Sequence, residues 1–173
     1  MPNKLTKAEK ERFDDRESPP KIALRFENIH YVECSFWGGK YIDCEWRGCR
    51  FTRSKFANGV VFDNCRFVHC RFEKEHTSLN ARFIRCQFDN CDFLGVLTTG
   101  AVFEDCRISG RMNDMLFYGR KVEKRFQCVL RNVDMTGVVF GGTDFTRGMD
   151  LSTTRFGPTP GLLYIEGVLQ DEK

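Results

Sequence analysis

No stretch of the first twenty residues is apolar over seven or more positions, and the segment instead carries five basic and five acidic side chains. It reads as neither a secretory signal nor a membrane span, and nothing in it marks the chain for export by a cleavable signal. Histidine is scarce, three residues in 173, and none has an acid partner placed for general-base work. There is no phosphate-cradling loop and no nucleophile elbow; Gly38 with Gly39 and Gly141 with Gly142 are lone pairs suited to tight corners. These absences point to a protein that is not an enzyme and takes no cofactor.

Cysteine, by contrast, is abundant. Nine in a chain of this length, an odd number without an export signal, favour reduced thiols in a cytoplasmic setting over a disulfide framework. Formal charge is +3 overall. The first twenty residues balance, the last seventeen carry one basic and three acidic groups, and residues 21–156 carry 21 basic against 16 acidic, so the body is mildly basic.

Large apolar residues recur every five positions at Phe26, Tyr31, Phe36, Tyr41, Trp46, Phe51 and Phe56. The series continues at Phe62, Phe67 and Phe72, at Phe83, Phe88 and Phe93, at Phe103 and Ile108, and again from Leu130 through Met135, Phe140, Phe145 and Leu151 to Phe156. Fourteen of the seventeen phenylalanines fall on it, and all nine cysteines sit two residues before one of its members. Residues two apart on an extended chain face the same side, whereas the next step of three reverses the face. The chain must therefore turn once per five residues, and Asp43, Asp63–Asn64, Asp89–Asn90 and Glu104–Asp105 supply turn formers there. Cys44, Cys65, Cys86 and Cys106 lie 21, 21 and 20 apart, so four sides of five close one coil, with about six coils stacked at a strand spacing of roughly 4.8 Å. The expected core includes Cys44, Trp46, Cys49, Phe51, Cys65, Phe67, Cys70, Phe72, Cys86, Phe88, Cys91 and Phe93.

With its Cys and Phe words in these two slots, the stretch from residue 24 to 156 resembles the pentapeptide repeat proteins, among them the quinolone-resistance and microcin-immunity members. The resemblance implies an all-β, right-handed quadrilateral parallel β-helix; the spacing alone gives four sides but not the hand. Residues 1–20 are expected as a charged tail or short helix, since Thr6 and Glu9 have capping-box spacing before Pro19 and Pro20. The repeat spans 21–156, and 157–173 forms a C-terminal cap or dimerisation segment, with Leu162, Leu163, Ile165, Val168 and Leu169 as candidate homodimer contacts.

The repeat fails between Ile108 and Leu130, where Arg111 and Asn113 hold the expected inward slots, so 109–127 is either a degenerate coil or a loop. Phe117, Tyr118, Arg120, Lys121, Lys124 and Arg125 there form a candidate partner-binding protrusion. Outward residues Arg47, Arg50, Arg53, Lys55, Arg66, Arg71 and Lys74 form a candidate basic patch, of which Arg50 and Arg71 are offered as partner contacts, against the alternative of a rim diluted by Glu45, Glu73 and Glu75. His69 faces out beside an inward Cys70, so the pair cannot share a metal ion, and no metal site is expected.

Functionally, these features suggest a non-enzymatic protein-binding module of bacterial immunity, resistance or target-protecting type, in the cytoplasm. The resemblance implies topoisomerase as a partner, which a basic rather than acidic solenoid disfavours. Two alternatives stand beside it: an effector or scaffold delivered into a host without a cleavable signal, and weak nucleic-acid binding. Membrane association is not expected.

Overall fold

The computed structural model describes residues 6–73, 77–119, 123–158, 161–165 and 168–169. The chain winds as an all-β parallel solenoid of about seven turns, the pentapeptide-repeat architecture that the spacing demands. Strands of about three residues form each side and pair in parallel with their counterparts one coil away. Four files of inward residues result. Face 1 stacks Ala8, Tyr31, Phe51, Phe72, Phe93, Met112 and Phe140. Face 2 stacks Phe13, Phe36, Phe56 and Ser78, then resumes at Phe117 and Phe145. Face 3 carries Tyr41, Phe62, Phe83, Phe103 and Leu130. Face 4 carries Phe26, Trp46, Phe67, Phe88 and Ile108, then Met135 and Phe156.

The odd step between sides is made by one left-handed residue per corner. Asp43, Asn64, Asn90 and Asp105 have φ of 54°, 52°, 50° and 53°, each two residues past its inward ring. Asn and Asp tolerate this conformation better than other side-chain-bearing residues, which is why the turn formers recur where they do.

All nine cysteines are buried and unpaired. Their narrow side chains fill the corners of the core, and their S–H groups reach carbonyls one coil earlier. Cys65 donates to the Tyr41 carbonyl at 3.4 Å, Cys86 to Phe62 at 3.2 Å and Cys91 to Phe67 at 3.2 Å. Where the slot holds a hydroxyl the same contact appears, from Ser54 to the Tyr31 carbonyl at 3.1 Å and from Thr143 to that of Met112 at 3.1 Å.

Three expectations need correction. Residues Thr6–Glu9 and Arg12–Asp14 are strands, not a tail or short helix, because each finds a parallel partner in Ile29–Val32 and Ser35–Trp37; they add a coil to the six expected. Residues 109–118 are a true coil. A bulge at Gly110, with φ of 114°, shortens one step, so Met112 and Phe117 point inward while Arg111 is exposed and Asn113 half-buried. A Cβ at Gly110 would lie 2.0 Å from the Cys91 carbonyl oxygen, so only glycine fits that close approach. Among the described residues of this segment, 123–127 leave the wall, and Cys128 N–H donates to the Tyr118 carbonyl at 2.7 Å where the chain rejoins it. At the C-terminus, Gly161–Ile165 pairs in parallel with Phe140–Phe145, and Val168–Leu169 returns antiparallel on it.

Candidate functional site

The structure scatters the sequence-predicted contacts instead of gathering them. Phe117 is core, 1% exposed and stacked at 4.7 Å on Phe145, so its reading as an exposed contact is overturned. Tyr118 is half-buried, Lys124 and Arg125 are exposed on a short 3-10 turn, and Arg120 and Lys121 lie outside the described residues. Of the candidate dimer contacts, Ile165 packs against the core of its own chain. The side chains of Leu162, Leu163, Val168 and Leu169 lie outside the described residues.

Arg50 and Arg71 lie on face 1 and converge on Glu73 one file over, with Nε donating to its two oxygens at 2.6 and 2.9 Å. Thr52 donates to the same carboxylate at 3.2 Å. Glu73 is 2% exposed, and burial alone would raise its carboxyl; the hydrogen bond and charge of Arg50, with the charge of Arg71, outweigh that and hold it below the usual value. The other arginines of the basic rim, Arg47, Arg53 and Arg66, are matched in the same way, as are Arg85 and Arg131. Arg47 pairs with Glu45, Arg53 with Glu33, Arg66 with Asp89 and Glu45, Arg85 with Asp63, and Arg131 with Glu104. Arg111 grips Asp92 with two bonds of 2.9 and 2.8 Å, and their hydrogen bonding holds that carboxyl low. The diluted rim therefore describes these arginines better than a basic patch; Lys74 and Glu75 lie outside the described residues.

Thiol chemistry is closed off by position. Burial pushes the Cys70, Cys86 and Cys128 thiols up, keeping them protonated and unreactive at neutral pH. His69 stands at an exposed corner with φ of 51°, while Cys70 points inward.

The feature that sequence reasoning passed over is on face 2. There the inward file loses its ring twice, to Ser78 and Thr98, which are 5% and 2% exposed. An interior cavity of about 20 Å³ remains behind them, room for about one water. Thr98 Oγ1 donates to the Leu116 carbonyl at 2.9 Å, across the level where strand pairing thins to the single bridge between Leu97 and Leu116. Outside the same wall runs a groove with about 240 Å³ of open space. Trp37, Ala57, Asn58, Leu79, Asn80 and Thr99 form its floor, and Arg125 with Phe126 of the 123–127 excursion form its flank. The excursion is pinned there by Gly100 N–H, which donates to the Phe126 carbonyl at 3.1 Å. The missing rings at 78 and 98 were visible in the sequence as gaps in the five-residue series. They mark the altered wall.

No family model matches this sequence, and no curated protein matches it. Among solved structures, it is similar to a trypsin-treated variant of QnrB1, a plasmid-mediated fluoroquinolone resistance protein, at 14% identity over 88% of this chain and 79% of that one, with a TM-score of 0.43. Full-length QnrB1 is 17% identical over 89% and 92%, with a TM-score of 0.38. HetL, a pentapeptide repeat protein involved in heterocyst differentiation regulation from the cyanobacterium Nostoc sp. strain PCC 7120, is 8% identical over 86% and 92%, with a TM-score of 0.26.

Proposed function

We propose that this pentapeptide-repeat solenoid is a non-enzymatic protein-binding module, of the bacterial immunity, resistance or target-protecting kind that the sequence resemblance implies. One observation carries the reading. The interior is filled with rings and thiols apart from the cavity of about 20 Å³ behind Ser78 and Thr98, which is too small for a substrate, so the surface is what a partner can read. Buried thiols that form no disulfide suit a reducing cytoplasm.

The route of binding by imitation of a DNA duplex is disfavoured. That device needs an acidic face, whereas an outward file here carries both signs with basic residues in excess: Arg25, Glu45, Arg66, Gln87, Arg107, Asp134 and Arg155 run in register along face 4. A topoisomerase contact would have to use another surface.

Affinity capture from the native host, with the intact chain and with a variant whose residues 120–126 are replaced by a Gly-Ser linker, tests the reading. A protein retained by the intact chain and identified by its mass spectrum is expected. Retention of nothing above background by the intact chain would overturn it.

A further inference from the structure

Of the seven large apolar side chains that face solvent among the described residues, Leu79 and Leu97 lie on face 2 and Phe126 on the excursion beside it. Leu79 sits in the groove floor between Ala57 and Thr99, next to Trp37. A guanidinium already covers each aromatic ring: Arg12 lies 4.7 Å from the centroid of Trp37, and Arg125 lies 4.6 Å from that of Phe126. Both arginines are held by exposed acids within their own segment, Asp14 and Glu123, in pairs that cost little to exchange.

In the sequence, the charge excess of the chain falls on the segment that supplies the flank. Residues 119–127 hold four of the 27 basic groups and one of the 24 acidic ones, an excess of +3, which equals the net charge of the protein. The remaining 164 residues carry 23 groups of each sign. Among the described residues, the groove thus offers a mainly apolar floor flanked by the exposed cations Lys124 and Arg125 beside a single acid, Glu123.

We propose that the face 2 groove binds an acidic peptide segment of a partner protein, its aliphatic or aromatic side chains seated on Trp37, Ala57 and Leu79 and its carboxylates paired with Arg125 and Arg12. The proposal rests on the protein-binding reading above and assigns it a surface and a ligand chemistry. A nucleic acid fits less well. Its phosphates need a long track of available cations, whereas beyond the exchangeable Arg12 and Arg125 the arginines Arg50, Arg66, Arg85 and Arg111 of the neighbouring faces are matched by carboxylates. A mainly apolar floor under a one-sided cationic flank matches the apolar core and charged rim of a protein contact.

The test uses the full chain and synthetic dodecapeptides, followed by peptide anisotropy and by the emission of Trp37, the half-buried tryptophan beside the fully buried Trp46. A peptide mixing Glu with Leu and Phe is expected to bind, to shift the emission and to weaken with added salt. Substituting its Glu by Lys, or its Leu and Phe by Ser, should each weaken binding by about tenfold or more, as should Arg125→Glu or Leu79→Ser in the protein at unchanged melting temperature. Equal binding of the acidic and basic peptides, indifference to both protein variants, or tighter binding of a single-stranded oligonucleotide would overturn the proposal. Host capture that persists fully in Arg125→Glu and Leu79→Ser, with the acidic peptide unbound, removes the groove alone. Capture of nothing by the intact chain removes the broader reading.

Discussion

Phe67 and Phe88, 21 residues apart in the chain, hold their rings 4.8 Å apart and within 5° of parallel. Trp46 closes the other side of Phe67 at 4.9 Å, and Phe62 and Phe72 meet it edge-on at 5.6 and 5.8 Å. With neighbours on four sides and no exposure, this ring leaves a void that nothing can collapse into. Phe67→Ala should cost about 3–5 kcal/mol, read as a lowered urea midpoint, and a loss below about 1 kcal/mol would contradict the packing.

Glu73 links stability to pH. Its folded carboxyl titrates below the ordinary value of 4.5, so the stabilisation is complete at neutral pH and is lost as pH falls through the folded value beneath 4.5. Glu73→Gln removes the charge that Arg50 and Arg71 converge on and should lower neutral-pH stability by about 2 kcal/mol. The gap between wild type and variant should shrink on acidification; a gap constant from pH 7 to about 3 would show that the charge is idle.

Because all nine thiols are buried, and several donate to carbonyls in the coil before, an aromatic disulfide reagent should find almost none in the native protein under reducing-grade purification. After denaturation it should find nine. Rapid native labelling of any cysteine would mean that its corner opens, and fewer than nine after denaturation would mean that oxidation had occurred.

Excision separates coil from excursion. Replacing residues 120–126 by a short Gly-Ser linker keeps the Tyr118–Cys128 neck and every inward side chain of that coil, so the melting temperature should change by only a few degrees. Removing 112–124 instead takes out Met112, Met115 and Phe117, each at most 3% exposed, and should abolish cooperative melting.

His69 occupies a left-handed corner in a file otherwise made of Asn28, Gly48 and Asn90. Those residues accept positive φ more readily than histidine does. His69→Asn should therefore stabilise by about 0.5–1 kcal/mol, raising the melting temperature by a few degrees, and a fall would assign His69 a contact that compensates its backbone.

The rings and thiols of the core were legible because an inward position is imposed by geometry on every coil, so Trp46, Phe67 and Phe88 declare one another. The stretch after Ile108 was misread because one shortened step at Gly110 moves every later side chain by one residue, and in a strand that exchanges inside for outside. At the N-terminus, the local capping pattern of Thr6 and Glu9 yields to an extended partner 23 residues on, where Ile29 offers a free strand. The groove escaped for another reason. Trp37, Leu79 and Phe126 face outward, where the fold imposes no period, so only their adjacency in space reveals them.

The two lost rings of face 2 bear on how the molecule comes apart. A solenoid is held by coupling between adjacent coils alone. Ring-on-ring stacks on faces 1, 3 and 4 run up to Phe93, Phe103 and Phe88, above which come Met112, Leu130 and Ile108, while on face 2 Ser78 and Thr98 stand between Phe56 and Phe117. The coupling is thus weakest at the coil that carries Thr98. Under denaturant the coils beyond Thr98 are therefore expected to lose hydrogen-exchange protection before the aromatic coils beneath them.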